Sequence, residues 1–111
     1  MVRLGDVIRV PQEKIAEYVK VHDEIWPRIE ELMRKANIEN FTIFYRDGYL
    51  FKYYEYTGTD FAADMKILDD DEEHQRWIEY TKQFQIPVDT AAPDEWWAPM
   101  KEVYHLKEEA L

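Results

Sequence analysis

A tyrosine and a histidine lie four residues apart in the stretch IAEYVKVHDEIWPRIEEL, at Tyr18 and His22. Apolar residues recur around them at helical spacing, so both side chains are expected on one face of a helix. A histidine in a partly dry pocket titrates near neutrality and can take or give a proton without a metal. The same position also suits a histidine that is only part of the core, so the spacing leaves both interpretations open.

Pro27 follows within the same apolar pattern. Because proline lacks a backbone N–H, the carbonyl of Asp23 loses its helical partner, and the helix is expected to kink beside His22. Such a kink would open space for a ligand and leave a free acceptor nearby. A bend that fits the helix to a curved sheet is the alternative explanation.

Four tryptophans come from three separate segments: Trp26, Trp77 and the pair Trp96–Trp97. Packing in a core or a dimer interface is expected to explain most of them. The functional interpretation is a sugar site, in which flat rings lie against the C–H face of a pyranose.

Other catalytic motifs are missing from the sequence. It has no cysteine, Gly-rich phosphate loop or GxSxG motif, which argues against thiolate enzymes, NTPases, Rossmann enzymes and hydrolases of that type. His74 follows an acidic run and is expected at an exposed helix start, and His105 is expected on the last strand. No two histidines have helical ligand spacing, and the consecutive carboxylates lack EF-hand spacing. We therefore predict a site without a metal.

Composition limits the partners. The chain has 111 residues, 46% of them hydrophobic, which suits one domain spanning residues 1–111. A net charge of −10 disfavours nucleic acid and membrane surfaces as partners, whereas a neutral small molecule fits. The first residues carry the charges of Arg3, Asp6 and Arg9 and do not resemble a signal peptide, so a cytoplasmic location is expected.

The predicted elements alternate in type along the chain. We expect a strand over 2–10, and then a helix from Pro11 to about Ala36. Two strands follow at 41–46 and 49–57, joined by an Asp-Gly turn. A short helix capped by Thr59 or Asp60 is expected to reach about Leu68, and a second, capped within 69–71, to reach about Phe84. Residues 85–98 are expected to be irregular and 100–106 to form the last strand. The helical stripe over 11–36 would bury Ile15, Tyr18, Val19, His22, Ile25, Trp26, Ile29, Leu32 and Met33.

This β-α-β-β-α-β order matches the ferredoxin-like plan, an α+β fold with a four-stranded antiparallel sheet and helices on one face. Tyrosine and phenylalanine along 41–56 would leave the other face aromatic. Such a face needs a cover. A second copy in a two-fold dimer is the expected cover, and the 85–98 loop is the alternative.

Four segments of the chain resemble the L-rhamnose mutarotase family: YVKVHDEIWPRIEELM, NFTIFYRDGYLF, QRWIEYT and EWWAPMKEVYHL. The resemblance covers nearly the whole chain. It implies a homodimeric α+β barrel that interconverts the α and β anomers of L-rhamnose without a cofactor. It also implies that His22 is the proton donor and that Tyr18, Phe41, Trp77 and Ile78 contact the sugar.

The chain departs from the family pattern at two of these positions. Well-known members carry tyrosine at the place of Phe41 and tryptophan at the place of Ile78, so a hydroxyl contact and a stacking surface are missing. The Trp96–Trp97 pair could replace the stacking surface from another direction, and a related neutral aldose stays open as the substrate. Two alternatives share the topology: a monooxygenase-like dimeric barrel, with His22 as a haem ligand, and a non-catalytic module that binds a small ligand.

Overall fold

The computed structural model describes residues 1–108, and the last three positions of the predicted domain, 109–111, lie outside the described residues. The described elements are, in order, β1 (Val2–Arg9), a 3-10 turn (Gln12–Lys14), α1 (Ile15–Asp23), α2 (Pro27–Lys35), β2 (Ile38–Arg46), β3 (Tyr49–Tyr56), α3 (Phe61–Asp69), α4 (Glu72–Lys82) and β4 (Ala98–Pro99). The strands form one antiparallel sheet in the order β2-β3-β1-β4. The predicted ferredoxin-like α+β arrangement is confirmed.

The inner face of the sheet packs against the helices. Register pairs Ile8 with Leu50 and Asp6 with Lys52, so the period-two alternation of the strands puts these four side chains on one face. The main core combines this face with the helices and consists of Ile8, Val10, Tyr18, Val21, Ile29, Leu50, Trp77 and Phe84. The site therefore has a sheet wall and a helix wall.

The predicted single helix over 11–36 is wrong, because the chain breaks it in two. Helix α1 ends at Asp23, Trp26 has an extended backbone, and Pro27 is the first residue of α2. A residue before proline avoids helical angles, and proline is favoured at a helix start, so Pro27 begins a helix instead of kinking one. The apolar stripe also differs from the prediction within α1: Val19 is 49% exposed, and Val21 is buried in its place.

The hairpin between β2 and β3 is confirmed. Asp47 and Gly48 both have positive φ, of 50° and 91°, which is the geometry of a type I′ turn. Strand β2 begins at Ile38, three residues before the predicted start, and its register slips between Glu39 and Thr42. Asn40 has a φ of 51° in this bulge, and its side-chain amide donates to Glu55 at 2.7 Å.

The caps predicted for the two later helices are confirmed. The carboxylate of Asp60 accepts from the backbone N–H of Ala63 at 3.1 Å at the start of α3. The carboxylate of Asp71 accepts from the backbone N–H of His74 at 3.0 Å at the start of α4. Local side-chain chemistry thus sets both helix starts.

The predicted strand over 100–106 is wrong. Strand β4 is only Ala98–Pro99, and His105 lies in the irregular segment that follows. Pro99 contributes no N–H to the ladder. In the register that pairs Pro99 with Asp6, Val103 would already reach Val2, the first residue of β1. Later residues have no partner strand, and Val103, Tyr104 and Leu106 are 89%, 76% and 74% exposed.

The outer face of the sheet carries exposed aromatic side chains, as predicted. Phe44 is 61% exposed, Tyr49 42% and Phe51 38%. The alternative that the 85–98 loop covers them is wrong, because Trp96 and Trp97 of this loop pack against the core that joins the sheet to the helices.

None of the helices within residues 1–108 combines the length and apolar character needed to cross a membrane.

Candidate active site

Two adjoining cavities lie between the helices and the sheet. The inner cavity has a volume of about 200 Å³, and the outer groove has a volume of about 770 Å³. Tyr18, His22 and Phe41 line both of them. All five residues predicted for the site lie on the wall of the inner cavity: Tyr18, His22, Phe41, Trp77 and Ile78.

His22 lies in the last turn of α1, just before the break at Pro27. Its Nδ1 atom is 3.0 Å from the backbone carbonyl oxygen of Tyr18. Since a carbonyl only accepts, Nδ1 carries the hydrogen, and the neutral ring keeps its lone pair on Nε2. Burial lowers the pKa of His22, and the Tyr18 carbonyl and the charge of Asp23 oppose this shift without cancelling it. The imidazole is therefore mainly neutral at pH 7.

Aromatic rings fix the orientation of His22. The ring of Tyr18 lies 4.4 Å from the imidazole between centroids, and that of Trp77 lies 5.3 Å away at an edge-on angle of 69°. Trp77 is only 5% exposed, so it acts as a packed wall. Ile78 is 37% exposed and lines the same cavity from α4.

A hydrogen-bond chain holds the hydroxyl of Tyr18. The indole N–H of Trp96 donates to Oε1 of Gln85 at 2.7 Å, and Nε2 of Gln85 donates to the Tyr18 hydroxyl at 3.0 Å. Gln85 is 7% exposed. Burial raises the pKa of Tyr18 to about 12, against the opposing effect of the Gln85 bond. The hydroxyl thus keeps its own hydrogen and can donate it to a ligand.

Phe41 lies on the cavity side of β2 because it is two residues from the inward-facing Ile43. The bulge inserts an extra residue opposite β3, so that Ile38 at the start of the strand lines the same cavity. Phe41 packs on Tyr54 with a centroid distance of 6.0 Å and is 39% exposed. The ring of Phe41 thus lies on the cavity wall without a hydroxyl, and its contact with a sugar stays a prediction.

Sequence reasoning missed three titratable residues of the inner cavity, Lys52, Tyr54 and His74. The prediction that His74 is exposed is wrong: it is half-buried, and burial lowers its pKa against the charges of Asp69 and Asp71. Lys52 stands between Leu50 and Tyr54 in the alternation of β3, which was the available indication that it faces inward.

Trp96 and Trp97, the pair predicted to replace the missing stacking surface, have different positions. Trp97 lines the inner cavity, whereas Trp96 lies behind it as the donor to Gln85. Within residues 1–108, no three His, Cys, Asp or Glu side chains converge as a possible metal-ligand group, and the metal-free site stays a prediction.

Comparison with known proteins decides the family. The family model for L-rhamnose mutarotase matches residues 3–106. The chain belongs to this family. An L-rhamnose mutarotase of Tolumonas auensis is 30% identical over 105 residues, which cover 93% of this chain and 80% of that protein.

Two solved structures share the fold of this family member. An L-rhamnose mutarotase from Formosa agariphila has a TM-score of 0.74 at 19% identity, covering 96% of this chain and 100% of its own. Tetracenomycin F2 cyclase from Streptomyces glaucescens has a TM-score of 0.70 at 14% identity, covering 98% of this chain and 100% of its own. At such low identity both likenesses support the fold alone.

Proposed function

We propose that this protein interconverts the α and β anomers of L-rhamnose, or of a related neutral aldose, without a cofactor. The observation that carries the proposal is the neutral imidazole of His22, which lines a small ring-lined cavity and whose Nε2 has no hydrogen-bond partner among residues 1–108. Membership in the L-rhamnose mutarotase family supports the reaction type. The cytoplasmic location expected from the sequence stays a prediction.

The reaction needs proton transfer and no covalent bond to the enzyme. To open the ring, the anomeric hydroxyl loses its proton, the C1–O5 bond breaks with its electron pair on O5, and O5 takes up a proton. Reclosure on the opposite face of the carbonyl gives the other anomer and returns both protons. A positioned imidazole contributes a rate factor of roughly 10² to 10⁴ in such steps.

The geometry changes the first role that we assign to His22. The resemblance implied a proton donor, but the lowered pKa leaves Nε2 mainly as an acceptor at neutral pH. We therefore assign His22 the removal of the anomeric proton during opening, and its return, as donor, during closing. Tyr18 positions the sugar through its free hydroxyl hydrogen.

The aromatic walls fit a pyranose ligand. Phe41 and Trp97 offer ring surfaces to the C–H faces of a pyranose, and Ile78 adds an aliphatic one. The absence of a hydroxyl at Phe41 and of an indole at Ile78 weakens contacts that the family pattern provides, so a related aldose belongs in the substrate panel.

We also propose that the protein works as a two-fold dimer through the outer face of the sheet. The exposed rings of Phe44, Tyr49 and Phe51 form an aromatic patch that the chain itself leaves open. The apolar side chains of Val103, Tyr104 and Leu106, in the segment after Pro99, are also exposed, and a second copy would bury them. The predicted antiparallel barrel needs this second sheet.

Anomer exchange tests the proposed function directly. Saturation transfer between the H1 resonances of the two anomers is measured for L-rhamnose, L-fucose, D-galactose and D-glucose, with and without protein. Acceleration for at least one aldose, greatest for L-rhamnose or another 6-deoxy sugar, is expected. Exchange at the uncatalysed rate for every sugar would contradict the function.

A further inference from the structure

A lysine faces the inner cavity from the sheet, across from the helix that carries His22. Lys52 lies in the middle of β3 and lines the cavity together with His22 and Tyr18. Its side chain is only 17% exposed. A mostly buried ammonium on the wall of a sugar-sized cavity is unusual, because burying a charge is costly unless it is paired.

Three groups hold the ammonium in place. Nζ of Lys52 lies 3.2 Å from Oδ2 of Asp6, whose side chain is 15% exposed. The same atom lies 4.4 Å from the ring centroid of Trp97 and 5.6 Å from that of Tyr54, within the range of cation–π attraction. An ammonium has three N–H donors, and Asp6 takes one, so donors remain for a ligand.

Stability alone does not explain this pair. Replacing a buried ion pair by apolar side chains is often neutral or stabilising, so a buried pair is weak evidence for a stabilising role. The neighbours of the pair on the same sheet face, Ile8 and Leu50, are fully apolar and pack in the core. A charge at the next position, where the core gives way to a cavity, indicates a ligand contact.

The proposed reaction requires a group of this kind. While Nε2 of His22 takes the proton from the anomeric hydroxyl, the ring oxygen must gain one as the C1–O5 bond breaks. We infer that Lys52 is a catalytic residue of this site, whose ammonium donates a proton to the ring oxygen and recovers it when the ring closes. This inference rests on the proposed mutarotase function.

Proton balance holds through the cycle. Opening converts neutral His22 to imidazolium and the Lys52 ammonium to an amine, while the sugar becomes an aldehyde with a free O5 hydroxyl. Closing on the other carbonyl face moves each proton back. Asp6 keeps its negative charge throughout and positions the amine.

The titratable groups that face this cavity determine how the rate of anomer exchange depends on pH. They are Tyr18, His22, Lys52, Tyr54 and His74, with Asp6 behind Lys52. Burial lowers the pKa of both histidines and raises that of both tyrosines. Burial also lowers the pKa of Lys52, which the charge of Asp6 partly opposes. In the proposed mechanism the alkaline limb belongs to Lys52, because its ammonium is the proton donor.

The test compares Lys52→Met with Asp6→Asn/Lys52→Met, which removes both charges and so avoids an unpaired buried carboxylate. Lys35→Met, at an exposed position in the last turn of α2, is the matched control. Anomer exchange of L-rhamnose is followed by NMR for kcat, KM and the pH profile, and circular dichroism confirms folding. In Lys52→Ala, added ethylammonium serves as a replacement donor.

The expected result is a loss of about 10²-fold in kcat for both Lys52→Met variants, with KM changed by less than about threefold. The alkaline limb of the wild type disappears, ethylammonium restores part of the Lys52→Ala rate, and Lys35→Met matches the wild type. A folded double variant with wild-type kcat, or one that changes only KM, would overturn the inference while the mutarotase function stands. A wild type without anomer exchange would overturn the proposed function, and this inference with it.

Discussion

The imidazole of His22 and the backbone carbonyl of Tyr18, one helical turn apart, are joined by a hydrogen bond of 3.0 Å. This contact fixes the tautomer that places the free lone pair on Nε2. Because α1 ends one residue later, at Asp23, the ring also lies beside the gap that Pro27 creates between the two helices. Together the bond and the break orient a neutral proton acceptor toward the cavity.

As the pH is lowered, the rate of anomer exchange is expected to fall only below 6.5, the pKa of a free imidazole. Burial lowers the pKa of His22 from 6.5, and the proposed mechanism needs the neutral ring. The rate of anomer exchange should therefore rise as the pH increases through this lowered pKa and be at its plateau at pH 7. An NMR titration of the His22 ring protons, alongside the rate profile, checks the assignment. A ring that titrates above 6.5 would contradict the proposed first step.

Stability should depend on pH through the two buried histidines. Burial lowers the pKa of both His22 and His74 below 6.5, so the unfolded chain binds more protons than the folded chain in the window beneath that value. The free energy of unfolding should therefore fall as the pH decreases through this window and reach its full value above it. Urea unfolding between about pH 5 and about pH 7.5 measures the slope. His22→Gln/His74→Gln should flatten it, and an unchanged slope would argue against buried neutral rings.

Gln85→Leu should lower the free energy of unfolding by about 1–3 kcal/mol, because the indole N–H of Trp96 loses its acceptor and the Tyr18 hydroxyl its donor. It should also raise KM, since the Tyr18 hydroxyl is no longer oriented. Gln83→Leu, at an exposed position two residues earlier, is the matched control. Urea unfolding and exchange kinetics measure the two effects. Equal free energies of unfolding for the two variants would show that the hydrogen bonds from Trp96 to Gln85 and from Gln85 to Tyr18 do not stabilise the fold.

Ile78→Trp should lower KM for L-rhamnose by a factor of about 2 to 10, the equivalent of one additional stacking contact of roughly 0.5–1.5 kcal/mol. The side chain of Ile78 lines the inner cavity and is 37% exposed, so the larger ring has room toward the sugar. Ile67→Trp, also at a position 37% exposed, lies outside both cavities and should leave KM unchanged. An equal change of KM in both variants would show that Ile78 does not contact the sugar.

Phe44→Asp should shift the protein from dimer to monomer. This residue is 61% exposed in the aromatic patch of the outer sheet face, and a charge there would be buried without a partner in the proposed interface. Phe61→Asp, on α3 at 41% exposure, is the control that should leave the dimer intact. Size-exclusion chromatography with light scattering gives the mass. A wild type that is monomeric at micromolar concentration would contradict the proposed interface.

Local sequence chemistry predicted much of this fold. The Asp47–Gly48 turn and the caps at Asp60 and Asp71 are set by residues next to one another in the chain, so they could be assigned without knowing the tertiary structure. Strand order followed from the alternation of strands and helices. The failures lie where distant parts decide: the last strand pairs with β1 only at Ala98 and Pro99, and proline contributes no N–H to the ladder, although β1 continues to Val2.

The site was predicted in part, for a related reason. The resemblance named the five residues that the structure brings to one cavity, although their roles stay proposals. Lys52 was missed because its neighbours Phe51 and Tyr53 made the strand look uniformly aromatic, and only register with β1 brings it opposite Asp6. His74 was missed because the acidic run before it indicated a solvent-exposed side chain. Its place in the first turn of α4 brings it to the cavity wall instead.

The most direct test of the account is anomer exchange of L-rhamnose by the His22→Asn variant. Asparagine can still donate to the Tyr18 carbonyl from its amide, but it offers no proton acceptor at the place of Nε2. With His105→Asn as the exposed control, saturation transfer near pH 7 should show His22→Asn slowed by about 10²- to 10⁴-fold and the control unchanged. A folded His22→Asn protein that exchanges the anomers at the wild-type rate would contradict the account.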